Sequence, residues 1–324
     1  MTDVASAGTR PSQATIVAFV GVVLFGGANA IAVKLTVAEL APFWGAAVRF
    51  LAAGVLMLLV VAAMRRSMPR GRSLAGAAVY GIVGFSASYG LAYTGLRDVP
   101  AGTAMVLIAL TPLLTFGLAI AQGQERFHAQ GLLGALIALV GIGIIFVDQL
   151  SANVPLVALL LVLGATLAIA ESAVLVKAIP RSDPFATNAV AMLTGGGLLF
   201  ILALVIGEPF ALPRQADTWA AVGYLVVFGS VVMFALFVFT LQRWTASAVS
   251  YVTLLMPLVT VALAAVLTDE RVTLSFVLGG AVILGGVYVG AFLKGRPRRS
   301  SASSLPECLP IDACAEAEAA PARA

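Results

Sequence analysis

LTPLLTFGLAIAQGQERFHAQGLLGALIALVG, residues 110–141, returns as LMPLVTVALAAVLTDERVTLSFVLGGAVILGG, residues 255–286. Leu110, Pro112, Leu113, Thr115, Leu118, Ala119, Glu125, Arg126, Gly134 and Gly141 each reappear 145 positions later. The last of these are Glu270, Arg271, Gly279 and Gly286. Each copy reads as an apolar helix with a proline inside it, a Glu-Arg corner, and a second apolar helix rich in glycine. An internal duplication constrains the fold before any single motif does.

The surrounding chain is built of the same material. Of 324 residues 61% are hydrophobic and 10% are charged, with a mean hydropathy of +1.05. A soluble domain carries about 25% charged residues. Too few charges are present here to cover a folded surface in water, so the fold class is an all-α membrane protein. Apolar segments near 14–34, 42–64, 74–95, 100–121, 129–148, 154–176, 185–206, 217–240, 247–267 and 273–293 each approach the ~20 residues that cross a bilayer core. They predict ten transmembrane helices. The stretch ending at Ala28-Asn29-Ala30 is read as the first of them and not as a cleaved signal, because the duplication needs it.

Basic residues fall at alternate connections. One side holds Arg10, Arg65, Arg66, Arg70, Arg72, Arg126, Lys177, Arg181, Arg243, Lys294, Arg296, Arg298 and Arg299, and the other holds only Lys34, Arg97, Arg214 and Arg271. The excess of basic residues on the inner side places both termini in the cytoplasm. Five helices per copy is an odd number, so the second copy enters the membrane from the opposite face. Inverted repeats of this kind are a mark of secondary transporters, with the solute site between the halves. The expected organisation is a disordered tail over 1–13, a first repeat over 14–148, a second over 154–293, and a disordered cytoplasmic tail over 294–324. The basic run from Lys294 to Arg299 reads as an anchor for lipid headgroups. Cys308 and Cys314 match no zinc-ligand spacing, so no metal is expected. The small net charge of +4 gives no case for nucleic acid.

Polar groups inside apolar helices are the functional candidates, because a central charge costs about 2.5–3.5 kcal/mol on insertion scales. Arg49 and Glu171 are the two charges so placed. Glu171 suits either a hydrogen bond to a neighbouring helix or a proton-coupling carboxylate. An offset of 142 aligns Pro42 with Pro184 and Asn29 with Glu171, which sets two polar groups at matching depths from opposite faces. Arg49 suits a solute carboxylate or a helix-end contact. Tyr89 and Tyr93 share a face of the third helix and Tyr251 marks the ninth, as candidates for cavity lining. Lys34, Trp44, Trp219 and Trp244 read as interface anchors. Pro112 and Pro257 kink their helices as hinges or fixed bends, and freed carbonyls near Ile108 and Thr253 need partners. Glu125 and Glu270 suit the positive end of the helix that follows each. The glycines of the fifth and tenth helices suit close helix packing.

Gly27-x-Asn29 followed by Lys34, Pro42 followed by Val48-Arg49-Phe50, and Ala92-Tyr93, Ala104, Pro112, Glu125-Arg126, Gly134 and Gly141 together resemble the EamA-type transporters of the drug/metabolite superfamily. The second copy repeats part of the pattern with Ser247, Pro257, Glu270 and Gly286. The resemblance spans roughly 15–293. Phe25 departs from it, standing where the family often has Trp. It implies a ten-helix exporter of small solutes such as amino acids, with a cavity lined by helices 1, 3, 4, 6, 8 and 9. Families of this type use helices 5 and 10 as dimer interface or scaffold, which allows a homodimer. No Gly-rich phosphate loop occurs, so no nucleotide cofactor is expected. The alternatives are a channel-like or non-transporting scaffold and a membrane-embedded enzyme. The enzyme would need a nucleophile and a base in the membrane, whereas His128 lies at a loop and no predicted helix holds a cysteine.

Overall fold

The computed structural model describes residues 11–95, 98–99, 101–146, 154–267 and 274–292. Every regular element among them is helical. In chain order these are α1 (Gln13–Val37), α2 (Pro42–Ala63), α3 (Arg72–Gly95), α4a (Ala101–Ile108), α4b (Thr111–Ala121), α5 (Ala129–Phe146), α6 (Leu156–Ala178), α7 (Pro184–Ile206), α8 (Ala216–Leu241), α9a (Ala246–Ser250), α9b (Val252–Leu267) and α10 (Leu274–Val287). Among the described residues eight helical stretches are long and apolar enough to cross a membrane, and Val106–Ala121 and Ala129–Ile145 are shorter apolar helices. The protein is a multi-pass membrane protein. Residues 1–10, the C-terminal tail with Cys308, Cys314 and the Lys294–Arg299 run, Arg97, Glu270, Arg271 and the side chain of Lys34 lie outside the described residues, while Gln13, expected at the end of the N-terminal tail, already begins α1.

Sequence signals account for the helix ends. The Ser12 hydroxyl accepts from the Thr15 N–H at the start of α1. Pro42 opens α2 at a position where its missing N–H is harmless. The Asp183 carboxylate accepts from the N–H groups of Phe185 and Ala186. Gly207, at φ 77°, closes α7 in the left-handed region.

The two copies pack as exchange partners. Gly54 of α2 meets Leu193 of α7, and Gly196 of α7 meets Leu51 of α2, which is the same contact after a shift of 142 residues. Gly134 of α5 meets Gly286 of α10, and Gly279 meets Gly141, which is the same contact after a shift of 145 residues. Within each pair one residue number rises as the other falls, so partner helices run antiparallel. The rest follows the exchange too. Helix α1 packs on α9b as α4b packs on α6, α1 on α8 as α3 on α6, and α3 on α7 as α2 on α8. The glycines of α5 and α10 therefore serve close packing within one chain.

Carboxylates and one lysine tie helix ends across these contacts. Glu208 accepts from the N–H groups of Phe43 at 3.3 Å and Trp44 at 2.7 Å, at the start of α2. Glu39 accepts from those of Arg214 and Gln215, just before α8. Glu125 corrects an expectation. It does not turn to the start of α5 but accepts from the Ser247 N–H and hydroxyl at the start of α9a. Lys177 donates to the carbonyls of Leu241 and Trp244 at the end of α8. Trp244 is a second correction, since it is buried against Phe19 and not set in an interfacial belt.

Pro112 breaks its helix where a bend was expected. Helix α4a ends at Ile108 and α4b begins at Thr111, with Pro112 in its first turn. The Thr111 hydroxyl takes up the Ile108 carbonyl. Pro257 lies inside the continuous α9b.

Candidate functional site

A narrow cleft with about 10 Å³ of enclosed space, room for about one water, opens at the end of the bundle that carries residues 38–41. Its walls come from the last turns of α1, the first half of α2, Tyr93 of α3 and Leu225 of α8. Val33, Val37 and Leu40 make most of them apolar, and Arg49 stands on the wall of α2. Arg49 is only 4% exposed. Its Nε donates to the Ser230 hydroxyl at 2.8 Å and its Nη2 to the Gly229 carbonyl at 2.8 Å. The guanidinium carbon lies 5.0 Å from the Phe50 ring centre. No carboxylate pairs with it among the described residues, where the recorded ion pair is Arg66 with Asp183.

Asn29 reaches the same carbonyl. Its Nδ2 donates to Gly229 at 3.1 Å and to the Met233 sulfur at 3.4 Å. Two polar side chains from one repeat thus converge on one backbone oxygen of the other. The reason lies in α8, where residues Val227–Val232 are wound as a π-helix. A π-turn disturbs the regular carbonyl-to-amide ladder and recurs at functional sites. Helix α3 carries the matching turn over Ile82–Ala87, 145 residues earlier. The sequence reading did not find these turns, although Gly84 and Gly229 share that offset and could have flagged them.

The predicted residues divide. Arg49 and Tyr93 line the cleft, and Asn29 shares the Gly229 carbonyl with Arg49. Tyr89 packs between Phe50 and Tyr93, with ring centres 4.8 and 5.9 Å away. Tyr251 is not among the residues that line this cleft. It is 2% exposed and donates to the Gly131 carbonyl at 3.0 Å, bracing α9 against α5, where an added side chain at Gly290 would strike it. Glu171 lies elsewhere. Both its oxygens accept from the Gln122 amide at 2.9 Å, near the end of α4b. It does not take the place corresponding to Asn29. Asn29 faces Gly229, whereas the residue facing the equivalent Gly84 is Ser172. One residue is about 100° of helical rotation, which turns Glu171 to another neighbour.

The opposite end of the bundle is laced by hydrogen bonds between its elements, beside a shallow open pocket lined by Arg66, Ser67, Arg181, Ser182 and Asp183. Besides the Glu125–Ser247 and Lys177 contacts, Gln124 donates to the Val174 carbonyl and Gln242 to the Ser182 carbonyl. That end exposes Arg65, Arg66, Arg70, Arg72, Arg126, Arg181 and Arg243, while Arg214 is exposed at the cleft end.

Comparison with known proteins bears on this arrangement. Residues 13–147 and 156–291 each match the profile of the EamA-like transporter family. The "Uncharacterized inner membrane transporter YedA" of Escherichia coli (strain K12) is 26% identical, over 81% of this chain and 86% of its own. The "Probable amino-acid metabolite efflux pump" of the same organism is 24% identical, over 84% of this chain and 92% of its own. A solved structure titled "Crystal structure of protein" superposes with a TM-score of 0.76 over 88% of this chain and 100% of its own, at 20% identity, a likeness of fold.

Proposed function

From the premise that this chain belongs to the EamA-like transporter family, we propose that it is a secondary or facilitative carrier exporting a small metabolite, an amino acid or related compound, across the plasma membrane by alternating access. The observation that carries this reading is the cleft. It opens at one end of the bundle with the buried Arg49 on its wall, while hydrogen bonds such as Glu125 with Ser247 and Lys177 with Leu241 hold the elements together at the far end. A carrier needs a site reachable from one side at a time. The relative named as a probable amino-acid metabolite efflux pump supports the solute class.

The proposal includes ten spans, with the arginine-rich end cytoplasmic and the cleft facing outward. Glu171, near the far end, is proposed as the proton-coupling carboxylate. Reconstituted vesicles test the core of it. Saturable uptake that a trans-side solute accelerates by counterflow is the expected result. Flux proportional to concentration without counterflow would identify a channel-like protein.

A further inference from the structure

We propose that the solute is an organic carboxylate with an apolar body and no free ammonium group, held at its carboxylate by Arg49. The inference rests on the carrier reading and, of its solute classes, takes the related compounds in place of free amino acids.

The charge at Arg49 is the first argument. A guanidinium this deeply buried normally has a carboxylate beside it, because an uncompensated buried charge is strongly destabilising. Arg49 has instead a hydroxyl, a backbone carbonyl and a ring face. The described part of the protein therefore leaves the positive charge without a negative one. A ligand that arrives with one completes the site.

Geometry is the second. A guanidinium offers five N–H donors in a planar fork. Two are engaged, one on Nε and one on Nη2. Nη1 makes no hydrogen bond among the described residues and is not sealed off from the cleft that Arg49 lines. The free Nη1–Nη2 edge has the spacing that a carboxylate accepts with both oxygens.

The third is what the cleft lacks. Its wall holds no aspartate or glutamate. Thr36, its one hydroxyl besides Tyr93, donates to the Val33 carbonyl of its own helix. An ammonium brought in beside the carboxylate would lose water and meet no carboxylate on this wall, since the unpartnered acceptors Glu39 Oε1 and Asn29 Oδ1 belong to residues that do not line it. Val33, Val37, Leu40 and Leu225 suit a hydrocarbon body instead, with the Tyr93 ring beside it. The site thus selects a carboxylate, tolerates no second charge, and discriminates against free amino acids of the same skeleton.

Four probes on one branched carbon skeleton test this by thermal shift and titration of the purified full-length protein. They are 4-methylpentanoate, with the carboxylate alone; leucine, with both charges; 3-methylbutylamine, with the ammonium alone; and 4-methylpentan-1-ol, with neither. The expected order has 4-methylpentanoate binding at least about ten-fold tighter than leucine, with no response to the amine or the alcohol. Arg49→Lys keeps the charge and loses the fork. It should bind the carboxylate at least about thirty-fold more weakly, with its melting temperature near that of the wild type. Leucine or the amine binding as well as the carboxylate overturns the proposal, as does wild-type protein that binds no carboxylate probe. So does unchanged binding in Arg49→Lys. These outcomes are separate from the carrier reading, which stands or falls on counterflow.

Discussion

Glu39 and Glu208 each reach from one connection to the start of a helix in the other repeat, Glu39 to the residues just before α8 and Glu208 to the first turn of α2, where free N–H groups and the helix dipole favour a negative charge. Glu39 titrates below the usual carboxylate range, held there first by the Arg214 N–H. A carboxyl whose folded pKa is depressed stabilises the fold above its unfolded pKa and loses that contribution as pH falls through the folded value. The melting temperature should therefore drop on acidification below about pH 4.5, the unperturbed value. Glu39→Gln should show a shallower drop, and an unaltered acid profile in that variant would remove Glu39 from the account. Glu208→Ala should cost about 1–2 kcal/mol in a denaturation curve, the size of a lost helix cap. The proposal for Glu171 is tested by Glu171→Gln, which keeps an acceptor for Gln122 but cannot ionise. We expect normal insertion and loss or uncoupling of pH-driven efflux, and normal pH-driven efflux in the variant would end the coupling role.

At the scale of helices, stability depends on which side of each one meets its neighbour. An added Cβ at Gly286 would lie 2.6 Å from both the Ala138 nitrogen and the Gly134 carbonyl of α5, while one at Gly285 meets nothing within 4 Å. Gly286→Ala should destabilise by about 1–3 kcal/mol, as backbone atoms cannot step aside. Gly285→Ala should be neutral or stabilising by up to about 1 kcal/mol through helix propensity. Thermal melts of the two variants in detergent check the contrast. Where the helices run was legible in the sequence: α2 and α7 begin at Pro42 and Pro184 beside their caps, and the glycine spacing of α5 recurs in α10. Which face turns inward was not. A soluble helix declares its buried side by contrast with polar residues, but here lipid and core are equally apolar and the contrast is lost. That is why Tyr251 read as cavity lining and Glu171 as the counterpart of Asn29. The sequence pattern also could not show that α4 breaks at Pro112 while α9b continues through Pro257, because neighbouring helices decide how a membrane proline is accommodated.

At the scale of the whole molecule, exchanging the two halves carries the inner part of the cleft onto buried residues, while Leu40 and Ala41 at its mouth fall on Ser182 and Asp183 of a shallow surface pocket. The 145-residue shift takes Leu225 back to Tyr80 and Tyr93 forward to Val238, and the 142-residue shift takes Ala46 to Asn188 and Arg49 to Ala191. All four images are sealed, with Tyr80 at 1% and Asn188 at 0% exposure. Yet the Tyr80 hydroxyl and the Asn188 Oδ1, like the Asn29 Oδ1, have no hydrogen-bond partner among the described residues. An orphaned buried polar atom is destabilising by about 1–3 kcal/mol, and water would satisfy both if this place opened. A chain of two antiparallel copies has a natural second state in which the halves trade conformations, closing the first cleft and wetting Tyr80 and Asn188. Single-cysteine variants make this measurable, in a chain whose Cys308 and Cys314 are replaced by serine. Gly45→Cys should react with a membrane-impermeant thiol reagent from the face carrying residues 38–41. Asn188→Cys should react only from the opposite face, and only in transport-competent protein that cycles between states. Any solute or gradient that raises one reactivity should lower the other, since one equilibrium governs both. If Asn188→Cys stays silent while the variant transports, the path to the far end runs elsewhere, and the orphaned atoms are a static cost of packing.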